Sequence, residues 1–280
     1  MARALPFAVN TYSYTASHPA IDCLRHLAGQ GYSAFELMMV PDHLWPGSAE
    51  AHERRALRTF ALQHGLRIVS LNMPNIDLNI AALAPEMRRH SLDILHAILD
   101  LAGDLEVAGV VIGPGKANPL MPHPREQLTG HFFRALDALA PHAERAGTQL
   151  WVENMPFAFL PEADALMAAL ERYGDPRIAV VYDVANAVFL GEDPAAGLRR
   201  VRARLKLVHL SDTPTEVYRH AAVGDGVVPF AAIAPLLDEV GYGELPMLEI
   251  VAEEPDAALR RSVRRLIELG WPAQHANGRT

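Results

Sequence analysis

The sequence predicts an α/β protein that forms a single (β/α)8 TIM barrel. Eight short apolar runs occur between residues 7 and 270, about one every 33 residues, which is the length of a strand-plus-helix unit. Each run is continuously apolar rather than alternating, as in parallel strands covered on both faces. The segments between the runs are amphipathic, with apolar residues at helical spacing. An open doubly wound sheet is the alternative, but it usually has a glycine-rich turn after its first strand, and NTYSYTASHP contains no glycine.

The predicted strands are rich in aliphatic, β-branched and aromatic residues. In chain order they are FAVNTYS (7–13), AFELMM (34–39), RIVSLNM (67–73), GVVIG (109–113), QLWVEN (149–154), IAVVYDV (178–184), LKLVHLS (205–211) and LPMLEI (245–250). We expect each strand to pair in parallel with the next and the last with the first, because eight such units close a barrel.

The intervening helices are indicated by their apolar faces and by their ends. HFFRALDALAPHAERAG (131–147) and PDAALRRSVRRLIELG (255–270) repeat apolar residues at i, i+3, i+4 and i+7. Glycine follows the expected last turns at His64-Gly65, Ala146-Gly147 and Val240-Gly241. A glycine in this position is typical of a helix C-terminus, where the backbone turns left-handed.

The composition is that of one globular domain. Of the 280 residues, 50% are hydrophobic and 21% are charged, enough for a full core. We expect the barrel to occupy residues 1–271 and a polar, frayed tail to occupy 272–280. Lys and Arg total 25 against 33 Asp and Glu, and the net charge of −8 argues against a nucleic-acid partner.

Two further features bear on location. The N-terminus lacks the apolar stretch of a signal peptide, and no apolar run approaches the roughly 20 residues that span a membrane, so no membrane partner is expected. The single cysteine, Cys23, excludes an internal disulfide framework and a cysteine-based zinc site. The cytoplasm is the expected compartment.

Ionisable residues close four consecutive predicted strands. They are Glu153 in WVEN, Asp183 in VYDVAN, His209 in VHLSD and Glu249 in LEI. Active sites of such barrels lie at the C-terminal ends of the strands, and neighbouring strands are about 4.8 Å apart, so these side chains are expected to converge. Any one of them alone could equally cap a backbone group or pair with an arginine. Together, three carboxylates and an imidazole suit a divalent cation such as Mn²⁺, Mg²⁺, Co²⁺ or Zn²⁺.

These residues resemble a known family. The order Glu, Asp, His, Glu at the ends of strands five to eight, with the turn Gly224-Asp225-Gly226 between His209 and Glu249, is similar to the xylose isomerase-like TIM barrel superfamily, which includes the sugar phosphate isomerases and epimerases. The resemblance covers residues 7 to 270. It implies one divalent metal ion, Mn²⁺ in the first place, held by the four strand-end residues. It also implies that Glu153 and Glu249 act as the acid and base.

One position departs from that family. Asn186 stands where many members have histidine, and the third and fourth strands lack the histidines that bind further metals in the endonuclease branch. A trinuclear zinc site is therefore not expected. Asn186 can still hydrogen-bond a substrate hydroxyl, or it can bond its own backbone as a loop asparagine.

Further substrate-binding candidates are less specific, and each has an ordinary structural explanation. His220 and Arg219 lie in a loop after the seventh strand, where family members place a basic substrate contact, although loop residues are often simply solvated. Glu36 closes the second strand and could orient the substrate, support a metal ligand or form a salt bridge. Lys116 follows a Gly-Pro-Gly turn and could meet a phosphate or carboxylate, although lysines are usually solvated.

The expected activity is proton transfer on a sugar or keto-polyol through an enediolate, with Glu153 or Glu249 as the base. An isomerase or epimerase is the first prediction, and a dehydratase of the inosose or dehydroshikimate type is the second. A non-catalytic sugar-binding barrel is the third. No nucleotide cofactor is expected, because no phosphate-binding glycine motif is present. The substrate and any homo-oligomer stay open.

Overall fold

The computed structural model describes residues 4–73, 75 and 77–271, and in them eight parallel strands close into a barrel in the order β1 to β8. The strands are β1 (Ala8–Asn10), β2 (Ala34–Met38), β3 (Arg67–Asn72), β4 (Gly109–Ile112), β5 (Gln149–Glu153), β6 (Ala179–Asp183), β7 (Leu205–Leu210) and β8 (Met247–Leu248). Each strand lies within the run that predicted it, so the predicted barrel is confirmed. The predicted tail at 272–280 lies outside the described residues.

Helices follow the strands and cover the outside of the barrel. They are α1 (Ala20–Gly29), α2 (Ala51–Gln63), α3 (Pro85–Asp104), α4 (Arg125–Ala146), α5 (Ala163–Tyr173), α6 (Val184–Phe189), α7 (Pro194–Val201), α8 (Phe230–Glu239) and α9 (Pro255–Glu268). Two of them, α6 and α7, connect β6 to β7. In the described parts of the chain, no helix is long and apolar enough to cross a membrane.

The predicted helix ends are confirmed. Helix α4 ends at Ala146, and Gly147 has φ +76°, a conformation that a side chain rarely adopts. Gly65 and Gly241, which follow α2 and α8, also have positive φ. Glycine therefore sets where these helices stop and the chain turns back toward the next strand.

A small apolar cluster fills the barrel interior below its C-terminal end. It consists of Ala8, Ala34, Val69, Val111, Trp151, Ala179, Val181, Leu207 and Met247. Trp151 fits because its ring packs over Gly109, where any Cβ would overlap it. A larger cluster between the strands and the helices forms the main core. The interior cluster is the floor on which the polar site rests.

Candidate metal centre and active site

The polar residues at the strand ends lie directly above the interior cluster. In a strand, residues two apart point to the same face, so the residue two positions after an inward-facing apolar residue also faces inward. This relation holds for Ala8 and Asn10, Ala34 and Glu36, Trp151 and Glu153, Val181 and Asp183, Leu207 and His209, and Met247 and Glu249. Strand parity therefore explains why these polar side chains meet inside the barrel.

Four of these residues come together as the sequence predicted. One ligand atom from each of Glu153, Asp183, His209 and Glu249 lies within 4.8 Å of every other, and all four residues are buried. His209 Nδ1 lies at the centre, 3.0 Å from Glu249 Oε2, 3.3 Å from Glu153 Oε1 and 3.9 Å from Asp183 Oδ2. Among the described residues, these four form a group of acidic and histidine side chains that lie close enough together to hold a metal ion.

The side chains in this centre fit a divalent cation. Asp183 Oδ2, His209 Nδ1 and Glu249 Oε2 are buried without a hydrogen-bond partner in the described part of the chain. Buried polar atoms are normally paired, because leaving one unpaired costs about 1–3 kcal/mol. Carboxylate oxygens with one imidazole nitrogen are ligands that Mn²⁺, Mg²⁺, Co²⁺ and Zn²⁺ accept. A cation would pair all three atoms at once.

The electrostatics of the centre agree with this fit. Burial disfavours the charged form of His209, but the neighbouring carboxylates, first Glu36 and then Glu249, outweigh burial and raise the pKa of the imidazole well above its ordinary value. Burial raises the pKa of Asp183 to about 6, and burial also raises the pKa of Glu153. Binding of a divalent ion to this centre should therefore compete with protonation of its side chains.

Glu36 lies behind His209, with its side chain fully buried. Its Oε1 accepts hydrogen bonds from Asn10 Nδ2 (2.6 Å) and Asn72 Nδ2 (3.0 Å), and its Oε2 accepts one from Ser70 Oγ (2.6 Å). His209 Nε2 is 3.1 Å from Glu36 Oε1. Burial opposes the charged form of Glu36, but His209 and the hydrogen bonds from Ser70 and Asn72 outweigh burial and lower the pKa of Glu36, so its negative charge faces the outer nitrogen of the imidazole.

A hydrogen-bonded chain joins Asn186 to the loop after β7. Asn186 Nδ2 donates to Asn154 O (2.9 Å), so its Oδ1 is the atom that accepts from Tyr218 Oη (2.7 Å). Tyr218 Oη in turn accepts from His220 Nε2 (2.7 Å), and His220 Nδ1 is hydrogen-bonded to Ser211 Oγ (3.0 Å). The chain holds the Tyr218 hydroxyl and the His220 ring in single orientations.

Asp212 holds the loop that carries Tyr218 and His220. Its buried carboxylate accepts hydrogen bonds from the backbone N–H groups of Thr213 (3.0 Å), Val228 (3.0 Å) and Gly224 (2.8 Å). A Cβ at Gly226 would overlap the same carboxylate. The Gly-x-Gly turn therefore allows the backbone to close around Asp212.

The metal centre opens into a cavity of about 980 Å³. Glu153, Glu249, Asn186, Tyr218 and His220 line its floor and one side. Its other side is formed by the ends of β2 and β3 and by the segments after β2, β3 and β5. It combines apolar residues with the polar Asn75 and Asp77; the apolar ones are Met38, Val40, Met73, Leu78, Met155 and Phe157. The volume is at the upper end of the ~300–1,000 Å³ of ordinary small-molecule sites.

The remaining sequence candidates divide by their positions. Asn186, His220, Arg219 and Lys116 line the cavity, whereas Glu36 is not among the lining residues. Sequence reasoning missed Asn10 and Asn72 because the criterion that selected Glu153 was an ionisable side chain at a strand end, and these two residues end strands but do not ionise. It also missed Tyr218, whose only signal was its place beside Arg219.

Comparisons with known proteins agree with the fold. The model of the xylose isomerase-like TIM barrel family matches residues 24–269. Fructoselysine 3-epimerase of Shigella flexneri is 21% identical over 268 residues, which cover 92% of this chain and 96% of that protein. Across eight curated relatives, this chain spans 62% to 97% of the relative's own length.

Two solved structures share the architecture. A D-tagatose 3-epimerase-like protein superposes with a TM-score of 0.81 at 19% identity, over 95% of this chain and 97% of that chain. The IOLI protein, whose structure holds a zinc atom, superposes with a TM-score of 0.78 at 15% identity, over 97% of this chain and 99% of that chain. At these identities, the likeness shows the fold.

Proposed function

The chain belongs to the xylose isomerase-like TIM barrel family, and from that premise we propose that it is a divalent-metal-dependent epimerase or isomerase of a sugar or related α-hydroxyketone. The observation that carries the proposal is that three carboxylates and His209 converge at the floor of the cavity. Three of their possible ligand atoms are buried there without a hydrogen-bond partner in the described residues. The match to a sugar epimerase over nearly its whole length supports the substrate class.

Glu153, Asp183, His209 and Glu249 would hold the cation. Bound there, a divalent ion supplies Lewis-acid stabilisation of the negative charge that develops on the substrate's oxygens. Mn²⁺ is the ion we propose first, because the donor set is mostly carboxylate oxygen with a single nitrogen.

Glu153 and Glu249 would move the proton. Both line the cavity, and they come from the first and last of the four strands that supply the centre, so they can face a substrate carbon from two sides. One carboxylate removes the proton from the carbon next to the carbonyl, and the C–H electron pair moves toward the carbonyl oxygen. Return of a proton from the other carboxylate to the opposite face gives the epimer. Return to the neighbouring carbon gives the isomer.

The cavity wall would orient the sugar. Asn186 and His220 fix Tyr218, and the remaining lone pair of the Tyr218 hydroxyl would accept a hydrogen bond from a substrate hydroxyl. Lys116 and Arg219 line the same cavity and would meet its more distant polar groups. Because Cys23 is buried and unpaired, the reducing cytoplasm is the compartment we propose.

Solvent hydrogen exchange tests the proposal. Metal-saturated protein is incubated in D₂O with D-tagatose, D-fructose and fructoselysine, and deuterium at the carbon next to the carbonyl is followed by NMR. The wild type should label at least one of the ketoses. Glu249→Gln is nearly isosteric and should slow labelling about 10²- to 10⁴-fold at full metal occupancy, because the amide cannot take the proton.

Glu244→Gln is the matched control. Glu244 pairs with Arg67 (2.7 Å) at the N-terminal end of the barrel, where an exposed ion pair contributes little, so labelling should stay at the wild-type rate. Full activity in metal-free protein would overturn the metal assignment. Epimerisation without solvent deuterium would overturn the two-carboxylate mechanism, and release of a dehydrated ketone would identify a lyase instead.

A further inference from the structure

Asn72, at the end of β3, has a buried acceptor atom that the fold leaves unused. The residue is only 2% exposed, and its Oδ1 has no hydrogen-bond partner in residues 4–73, 75 and 77–271. Asn72 also lines the cavity above the metal centre. An unpaired buried carbonyl oxygen costs free energy unless a bound molecule pairs it.

The orientation of the Asn72 amide is determined by its neighbours. Its Nδ2 donates to Glu36 Oε1 at 3.0 Å, and the same carboxyl oxygen also accepts from Asn10 Nδ2 at 2.6 Å. A flipped amide would place two acceptor oxygens against each other. Asn72 Oδ1 is therefore held on the branch of the amide that points away from Glu36.

The side chains around Asn72 determine which groups can pair its Oδ1. The cavity wall beside it is formed by Met38, Met73 and Leu78, which offer no strong hydrogen-bond donor. Asn75 and Asp77 line the cavity farther along the same segment, so next to Asn72 itself the pairing of its Oδ1 is left to a bound molecule.

We propose that Asn72 is a substrate-binding residue whose Oδ1 accepts a hydrogen bond from one hydroxyl of the bound sugar, and that this contact discriminates against sugars that lack that hydroxyl. The inference rests on the proposed function, since it takes the cavity as a sugar site. The inference goes beyond the proposed function because it assigns to a residue of β3 a role in substrate selection. Loss of this hydrogen bond should discriminate more strongly than loss of an apolar contact, because a sugar without the hydroxyl leaves the buried Asn72 Oδ1 unpaired.

Binding of D-fructose and of its monodeoxy analogues to Mn²⁺-loaded protein tests the proposal by titration calorimetry. On wild-type protein, one of the analogues should bind about 10- to 100-fold more weakly than D-fructose. Asn72→Leu should weaken D-fructose binding by a similar factor and bind D-fructose and that analogue equally. The analogue series needs no variant, so it tests the inference even if Asn72→Leu folds poorly.

Ser70→Ala is the control for an indirect effect. Ser70 also donates to Glu36 (2.6 Å) but does not line the cavity, so this variant should keep the wild-type discrimination between D-fructose and its analogues. Discrimination that survives in Asn72→Leu, or that disappears in Ser70→Ala, would overturn the inference. If D-fructose binds but no analogue is discriminated, the inference fails alone. If no ketose binds or exchanges, the proposed function fails with it.

Discussion

Replacing Glu36 by glutamine tests whether a buried carboxylate makes His209 an effective metal ligand. Glu36 contacts the outer nitrogen of the imidazole, with 3.1 Å between Oε1 and His209 Nε2, and it also accepts three hydrogen bonds. A carboxylate in this position orients the ring and increases its basicity as a ligand. Glu36→Gln removes the charge but keeps the size and shape of the side chain.

The structure indicates how much each property should change. The glutamine oxygen can keep the hydrogen bonds from Asn10 and Asn72, and the Ser70 hydroxyl can rotate to accept from the new amide N–H. The loss of charge weakens these bonds by about 1 kcal/mol each, but an amide costs less to bury than a carboxylate. We therefore expect the free energy of unfolding of metal-free protein to change by less than about 2 kcal/mol.

Metal binding should change more clearly. Loss of the charged partner of a metal-binding histidine typically costs about 10- to 100-fold in affinity, which is about 1.4–2.7 kcal/mol. Calorimetric titration of dialysed protein with Mn²⁺ at one pH measures this directly. Thermal melts with and without Mn²⁺ check it, because the stabilisation by a ligand shrinks as its affinity falls.

Glu192→Gln is the matched control for this experiment. Glu192 accepts a hydrogen bond from Tyr182 Oη (2.6 Å) and belongs to neither the metal centre nor the cavity wall. Glu192→Gln should lower the free energy of unfolding without changing the affinity for Mn²⁺. If Glu36→Gln binds Mn²⁺ with wild-type affinity, Glu36 does not make His209 a better metal ligand. If Glu36→Gln cannot fold, the Ser70 hydroxyl does not accept a hydrogen bond from the new amide as expected.

Three further outcomes are expected. Gly109→Ala should lower the free energy of unfolding by about 1–3 kcal/mol in urea titrations, because its Cβ overlaps the Trp151 ring inside the barrel, whereas an unchanged midpoint would contradict this packing. Asp256 should stabilise the protein by about 1 kcal/mol relative to Asp256→Asn at pH 6, after allowance for its exposure. Burial opposes its charged form, but hydrogen bonds from His26, among others, lower the pKa of Asp256 to about 2. Its contribution, measured by urea unfolding, should therefore be full above pH 4 and decline as the pH falls toward 2. Burial raises the pKa of the Cys23 thiol to about 12, so at pH 8 a thiol reagent should label native protein at least about 100-fold more slowly than unfolded protein, and equal rates would show an accessible thiol.

Much of the metal centre was predictable because strand position decides it. Each of Glu153, Asp183, His209 and Glu249 ends an apolar run, and in a parallel barrel all strand ends open onto the same face. The two-residue spacing from an inward apolar neighbour then directs each side chain inward. The same reasoning extends to Asn10, which was overlooked because its amide is not ionisable.

Other features of the site needed the folded structure. The second strand supplies Glu36 and the seventh supplies His209, and their contact depends on barrel closure and on the register shift between Phe35 and Glu36 in the pairing of β2 with β3. The Tyr218 chain depends on a loop conformation that Asp212 holds through backbone N–H groups, which no side-chain pattern reveals.

The eight-unit barrel, the helix ends and the convergence of four ionisable side chains follow from the sequence, because hydrophobic periodicity and strand parity are local properties of the chain. The folded structure was needed to show that Glu36 contacts His209 rather than the cavity, and that Asn72 Oδ1 is buried without a partner in the described residues. Those assignments depend on which donor reaches which acceptor between distant strands. Hydrogen bonds of that kind act over about 3 Å, and only the closed barrel brings their partners that near.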